Sequence, residues 1–169
     1  MIADVAGKAV VICGCGNILF GDDGFGPAVI HYLREHYTLP AQVLALDAGT
    51  SVREILFDLA LDVHRPRRLI IVDAVDYPDR RPGEVFTIPL AGIPPKKTAD
   101  FSLHQFPSVN ILQDLLEHTD MDITILVAQA QSLPEEVHPG LSPPVQDAVA
   151  TASRWVWQDV TTYLKTCNR

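Results

Sequence analysis

Short apolar runs alternate with helical patterns along the chain, and this alternation restricts the folds that it can adopt. Such alternation is the signature of βαβ units, which build a mostly parallel sheet covered by helices on both sides. Helical patterns follow the first two runs, and others cover residues 108–118 and 143 to about 164. The runs predicted to form strands are residues 8–15, 42–46, 68–72, 84–88 and 122–128. The sequence therefore predicts an α/β fold with a five-stranded, mostly parallel twisted sheet and one antiparallel edge strand.

The composition excludes several classes of protein. A length of 169 residues with 47% hydrophobic residues is typical of one compact domain, here residues 1–169. The net charge is -8, with no basic stripe of the kind that phosphate backbones require. The N-terminal segment does not resemble a signal peptide, and no apolar run reaches the roughly 18 residues of a membrane span. We expect a cytoplasmic monomer that binds neither nucleic acid nor membranes.

The chain has three cysteines, Cys13, Cys15 and Cys167, an odd number that does not indicate a disulfide framework. Cys13 and Cys15 are separated by one residue within the first predicted strand, so their side chains share one face. Such a pair either binds a soft metal or consists of small buried apolar groups. We expect the second role.

A glycine-rich loop, Gly14–Gly26, follows the first predicted strand. A Gly-x-Gly at this place is compatible with a dinucleotide-binding turn. However, the third glycine is missing, the loop is long, and Asp22 and Asp23 stand where a pyrophosphate would lie. We therefore disfavour nucleotide binding, and we expect Asp22 to act as a helix cap.

Two further aspartates, Asp47 and Asp73, follow the second and third predicted strands. Ligands of open α/β sheets bind beyond the carboxyl ends of the strands, so both acids are candidate site residues. The irregular segment 90–107 contains His104, and long loops in compact domains often carry function. Carboxylate oxygens and an imidazole nitrogen suit hard or borderline cations, so Asp23, Asp73 and His104 are candidate metal ligands.

Five short motifs follow one another along the chain: Gly16-Asn17-Ile18-Leu19 with Gly21-Asp22-Asp23-Gly24, Asp47-Ala48-Gly49-Thr50, Ile71-Val72-Asp73-Ala74, Ser102-Leu103-His104-Gln105 and Gly140-Leu141-Ser142-Pro143. In this order they resemble the nickel-iron hydrogenase maturation endopeptidase family. The resemblance covers nearly the whole chain and implies a three-layer α/β/α fold. The segments 81–84 and 100–107 are most similar to members that serve deazaflavin-reducing and related cytoplasmic hydrogenases.

The resemblance implies roles for three of these residues. Carried over by motif, the metal-contacting and catalytic residues are Asp23, Asp73 and His104, and some family members have Glu where Asp23 stands. The family implies an endopeptidase that removes a C-terminal extension from the hydrogenase large-subunit precursor once nickel is in place. The metal would polarise the scissile carbonyl or activate water, with one carboxylate as general base.

Two consequences of the resemblance concern binding. Nickel is recognised in the substrate precursor rather than kept as a cofactor, no permanent organic cofactor is expected, and another divalent metal is expected to occupy the site in vitro. Asp47, Gly49 and Thr50 are candidate substrate contacts, although an acid before Gly-Thr also serves as a turn and helix-entry device. A non-catalytic metallochaperone or assembly factor is the alternative.

Overall fold

A computed structural model describes residues 5, 7–89, 112, 115 and 117–167. These residues contain one five-stranded sheet with the order β2-β1-β3-β5-β4, in which β4 pairs antiparallel with β5 and the other pairs are parallel. The predicted mostly parallel sheet with an antiparallel edge strand is confirmed. The strands are β1 Val10–Cys15, β2 Val43–Gly49, β3 Arg68–Val75, β4 Val85–Ile88 and β5 Asp122–Gln129.

Helices cover both faces of this sheet. A 3-10 turn, Gly21–Gly24, leads directly into α1, Phe25–His36. The later helices are α2, Val52–Leu61, and α3, Pro143–Cys167. Within the predicted helix 108–118, the described residues 112, 115, 117 and 118 are helical.

Two apolar layers separate the helices from the sheet. On one face, α2 places Ile55, Leu56 and Leu59 against alternate residues of the strands, such as Val11 and Ile71. On the other face, α1 and α3 pack against the intervening residues of the same strands, which include Ile12 and Ile70. Because β1 and β3 are buried on both faces, their sequences are continuous apolar runs rather than alternating ones.

Two predicted strand ends were wrong. Strands β2 and β3 continue past the predicted ends, so Asp47 and Asp73 lie within the strands and not after them. The extension of β3 exists because residues 73–75 pair with residues 127–129 of β5, a partner that local sequence does not reveal.

The topology creates a crevice at the carboxyl end of the sheet. Strand β2 pairs with one edge of β1, and β3 pairs with the other edge. The direction in which strands are added to the sheet therefore reverses at β1. Ligands of α/β proteins bind at such a switch point. At the opposite, amino edge, the buried Arg68 pairs with Asp122 and Asp159 and lies 5.2 Å from the ring centroid of Tyr163. No helix among the described residues has the length and apolar character needed to cross a membrane.

Candidate functional site

The loop after β1 brings Asp23 back to the end of that strand. Gly16 has a φ of 118°, and a Cβ atom there would lie 1.8 Å from the carbonyl oxygen of Asp23, so only glycine fits. The Asn17 side chain accepts a hydrogen bond from the backbone N–H of Leu19 at 3.0 Å, which holds the loop in a compact turn. The 3-10 turn Gly21–Gly24 then carries Asp23 beside the strand end.

Asp23 is buried, with an exposed fraction of 3%. Its Oδ2 accepts a hydrogen bond from the backbone N–H of Asn17 at 2.7 Å. A charge-assisted bond of this length restricts the rotation of the carboxylate. The local sequence therefore fixes the direction of this acid.

Asp73 is buried near the carboxyl end of the central strand β3. Burial, followed by the negative charge of Asp23, raises the pKa of Asp73 from 3.8 to about 7, and a hydrogen bond from the N–H of Ala74 opposes that increase. The 3-10 turn that carries Asp23 packs against β3, which carries Asp73, so both buried acids lie at the same edge of the sheet. A cation bound there would offset the repulsion between two negative charges.

Cys15 lies beside these acids as a buried free thiol. Burial raises the pKa of Cys15 well above its ordinary value of 9.0, and Asp73, Cys13, Asp47 and Asp23 add to the increase. Burial raises the pKa of Cys13 to about 12. Both thiols stay neutral within an apolar layer, so the predicted structural role of the pair is confirmed.

The predicted metal site is described only in part. His104 lies outside the described residues, so its position relative to Asp23 and Asp73 stays a prediction. Among the residues that the structure describes, no group of three or more His, Cys, Asp and Glu side chains is placed to hold a metal ion. The two buried carboxylates nevertheless offer the oxygen donors that a hard or borderline cation accepts.

Asp47 forms a turn at the end of β2. Its Oδ1 accepts a hydrogen bond from the N–H of Gly49 at 3.1 Å, and Gly49 adopts a positive φ of 51°. The carbonyl oxygen of Gly49 accepts a bond from Gly16 at 3.0 Å, which joins the ends of β1 and β2. The segment therefore forms the turn that the sequence allows. Substrate contact by Asp47, Gly49 and Thr50 stays a prediction.

Asp47 also lines a groove of about 380 Å³ on the α1 side of the sheet. Its walls come from the first loop, from α1 and from the segment before α3. Sequence reasoning did not find this groove, because its walls come from segments far apart in the chain. The lining residues are Ile18, Gly21, Gly24, Pro27, Ala28, His31, Asp47, Gly140, Leu141 and Gln146.

The prediction that Asp22 caps a helix was wrong. Asp22 is fully buried, and its carboxylate accepts hydrogen bonds of 2.7 to 2.8 Å from the N–H groups of Gln131, Ser132 and Ser142 and from the Ser142 hydroxyl. The side chain therefore binds the segment after β5. Sequence offered no signal for this role beyond the presence of two consecutive acids.

Another residue that sequence reasoning missed is Gln129, the buried last residue of β5. Its Oε1 accepts a hydrogen bond from the N–H of Tyr77 at 2.9 Å, and its Nε2 donates to Asp76 at 2.9 Å. It thereby orders the chain where it leaves β3. A lone glutamine at a strand end carries no recognisable pattern.

The first loop is unsuited to a pyrophosphate. A Cβ atom on Gly24, at the start of α1, would lie 3.1 Å from the Cα of Ile18, so the loop backbone itself covers the helix N-terminus. A Cβ atom on Gly26 would lie 2.2 Å from the carbonyl oxygen of Cys15. The glycines thus let α1 pack closely on β1, and the adjacent buried acids would repel an anion.

The comparison with known families decides the identity of this fold. The family model described as hydrogenase maturation protease matches residues 27–158. The chain belongs to the hydrogenase maturation protease family. The predicted family is confirmed, and with it the predicted activity of an endopeptidase.

Two individual relatives are similar to most of the chain. The chain is 31% identical over 145 residues to the hydrogenase 2 maturation protease of Escherichia coli, covering 85% of each protein. It is 32% identical over 154 residues to the coenzyme F420 hydrogenase subunit delta of Methanothermobacter thermautotrophicus, covering 89% of the chain and 94% of that relative.

A solved structure shares the fold. The hydrogenase maturating endopeptidase HybD from E. coli superimposes with a TM-score of 0.72 at 26% identity, over 91% of this chain and 93% of that one. The predicted three-layer α/β/α architecture is confirmed.

Proposed function

We propose that this endopeptidase removes the C-terminal extension of a hydrogenase large-subunit precursor after nickel has been inserted into it. The observation that carries the proposal is the pair of buried carboxylates, Asp23 and Asp73, which the packing of the 3-10 turn on β3 brings to the switch point of the sheet. A cation that arrives with the substrate would offset the negative charge of these two acids. The precursor therefore binds this protein weakly until it holds its metal.

The proposed hydrolysis uses oxygen ligands and one general base. Asp23, Asp73 and His104 complete the coordination of the nickel that the precursor presents, and the metal polarises the scissile carbonyl or activates water. One carboxylate takes a proton from the attacking water as the new C–O bond forms. The same proton then passes to the leaving amine as the C–N bond breaks.

A similarity to one relative supports a class of substrate. The F420 hydrogenase subunit delta is among the most similar proteins, which supports a deazaflavin-reducing hydrogenase as the client. We place the reaction in the cytoplasm and assign it to a monomer without a permanent organic cofactor; light scattering at working concentration tests the monomer. Another divalent metal is expected to bind the same residues in vitro.

The test is the mass of the precursor. Purified protein is mixed with precursor that does or does not contain nickel, and we expect mass loss only with nickel. Asp23→Asn, Asp73→Asn and His104→Ala should each abolish cleavage. Asp79→Asn, at an exposed acid after β3, is the matched control and should cleave normally.

Two outcomes would contradict the proposal. Full activity of Asp73→Asn would remove the metal mechanism. An intact precursor that nevertheless changes its nickel content would instead identify a non-catalytic assembly factor.

Substrate contact by Asp47 is separable from its turn role. Asn keeps an oxygen that accepts the Gly49 N–H bond, whereas Ala does not. If the charge of Asp47 contacts the precursor, Asp47→Asn should raise KM about as much as Asp47→Ala while the fold stays intact. If only the turn matters, Asp47→Asn should behave as wild type.

A further inference from the structure

Asp22 is a fully buried carboxylate that does not have the capping role predicted from the sequence. Its two oxygens accept hydrogen bonds from Gln131, Ser132 and Ser142, which lie 109 to 120 positions away in the chain. Bonds to an ionised acceptor are about twice as strong as neutral ones. Asp22 therefore ties the first loop to the segment 131–142.

Backbone hydrogen bonds join the same two segments. The N–H of Gly21 donates to the carbonyl oxygen of His138 at 2.9 Å, and the N–H of Asp22 donates to that of Ser132 at 3.1 Å. The N–H of His138 donates in turn to Leu19 at 2.8 Å. The 3-10 turn and the segment 131–142 are thus one bonded unit.

The turn directs its two acids to different sides. Successive side chains of a 3-10 helix are about 120° apart. Asp22 is directed to the segment 131–142, whereas the Asp23 carboxylate is directed to the backbone N–H of Asn17. Because the residues are adjacent, bonds that immobilise Asp22 also fix the backbone from which the Asp23 carboxylate projects.

We infer that Asp22 is a positioning residue that holds Asp23 in the direction needed to contact the metal presented by the precursor. The inference rests on the proposed metal contact by Asp23. It assigns a role in the site to the segment 131–142, which supplies the donors. Asp22 itself touches neither the metal nor the scissile bond.

The test compares the nickel affinity of the isolated, full-length protein with its single-turnover cleavage rate. Asp22→Asn conserves shape, but its NH2 group must face either the N–H of Ser142 or, in the flipped orientation, the N–H groups of Gln131 and Ser132. Loss of such a supporting contact should weaken nickel binding and slow cleavage by about 10- to 100-fold. Nickel alone, followed by calorimetry, is the probe.

The matched control is Asp159→Asn, which breaks a partly buried ion pair of Arg68 at the opposite edge of the sheet. A merely structural role for Asp22 predicts that both variants lose stability and that both keep nickel affinity. A positioning role predicts that only Asp22→Asn loses nickel affinity. Nickel affinity of a folded Asp22→Asn within about 2-fold of wild type would overturn the inference.

A milder pair of variants decides the matter if Asp22→Asn does not fold. Ser142→Ala removes the hydroxyl that donates to Asp22, whereas Ser142→Thr keeps it. We expect weaker nickel binding with Ala alone, and equal affinities would overturn the inference. A wild-type protein that neither binds nickel nor cleaves nickel-loaded precursor would instead remove the proposed function, and this inference with it.

Discussion

The guanidinium group of Arg68 donates two hydrogen bonds to the carboxylate of Asp159, at 2.9 Å from Nε to Oδ2 and 2.8 Å from Nη2 to Oδ1. This bidentate pair ties α3 to the amino end of β3, where the Arg68 side chain is 9% exposed. Burial protects the pair from the screening that weakens ion pairs at the surface. It stabilises the fold far from the proposed site.

Asp159→Asn should therefore lower the free energy of unfolding and leave catalysis unchanged. We expect a loss of about 1.5–3 kcal/mol, the range for hydrogen bonds to charged groups. Urea denaturation measures it, and Glu35→Gln, in the exposed His31–Glu35 pair of α1, is the control that should show no measurable change. Equal effects of the two substitutions would show that the Arg68 pair contributes no more than a surface pair.

The strand pattern was readable from sequence because buried parallel strands are continuous apolar runs. The strand ends were not, since the extension of β3 through Asp73 depends on its pairing with β5. The site residues also divide into those that the sequence located and those that it did not. A topological rule put Asp47 and Asp73 at one edge and the family resemblance supplied Asp23, whereas the role of Asp22 depends on residues more than a hundred positions away, such as Ser142.

Asp73 should make the stability of the metal-free protein depend on pH. Its pKa in the folded protein is about 7, above the ordinary 3.8, so the folded state binds the proton more tightly. The stabilisation is complete below pH 3.8 and is lost as the pH rises to about 7. The slope is at most about 1.4 kcal/mol per pH unit.

The measurement is urea denaturation from pH 4 to pH 9 of the wild type and of Asp73→Asn, without metal. Other carboxylates titrate in both proteins, so the difference between the two curves isolates Asp73. That difference should change through the acid range and level off above about pH 7. A constant difference would show that Asp73 keeps its ordinary pKa in the folded protein.

The three cysteines should differ sharply in reactivity. Cys167 is exposed, whereas Cys13 and Cys15 are buried, and burial raises the pKa of both. Because the thiolate is the reactive form, a thiol-specific disulfide reagent should titrate only Cys167 in the native protein. All three should react in denaturant, and Cys167→Ser should abolish the native reaction. Rapid native labelling of Cys15 would show that the layer beneath the acids opens readily.

Alanine substitutions of Gly16 and Gly140 distinguish the effect of backbone strain from that of steric overlap. Both have a strongly positive φ, 118° and 109°, so alanine is strained at either place. A Cβ atom on Gly140 would meet nothing within 4 Å, whereas one on Gly16 would lie 1.8 Å from the carbonyl oxygen of Asp23. Gly140→Ala should therefore lower the free energy of unfolding by the backbone strain alone, about 1–3 kcal/mol. Gly16→Ala should lower it further, because the 3-10 turn must move.

Displacement of that turn would also move the Asp23 carboxylate and break its hydrogen bond with the Asn17 N–H. We therefore expect Gly16→Ala to lose nickel affinity even at a temperature where it is fully folded. Urea denaturation and calorimetry with nickel measure the two effects separately. Equal destabilisation by the two alanines would mean that the loop relaxes around the new methyl group, and the close contact between Gly16 and Asp23 would then not be what fixes the acid.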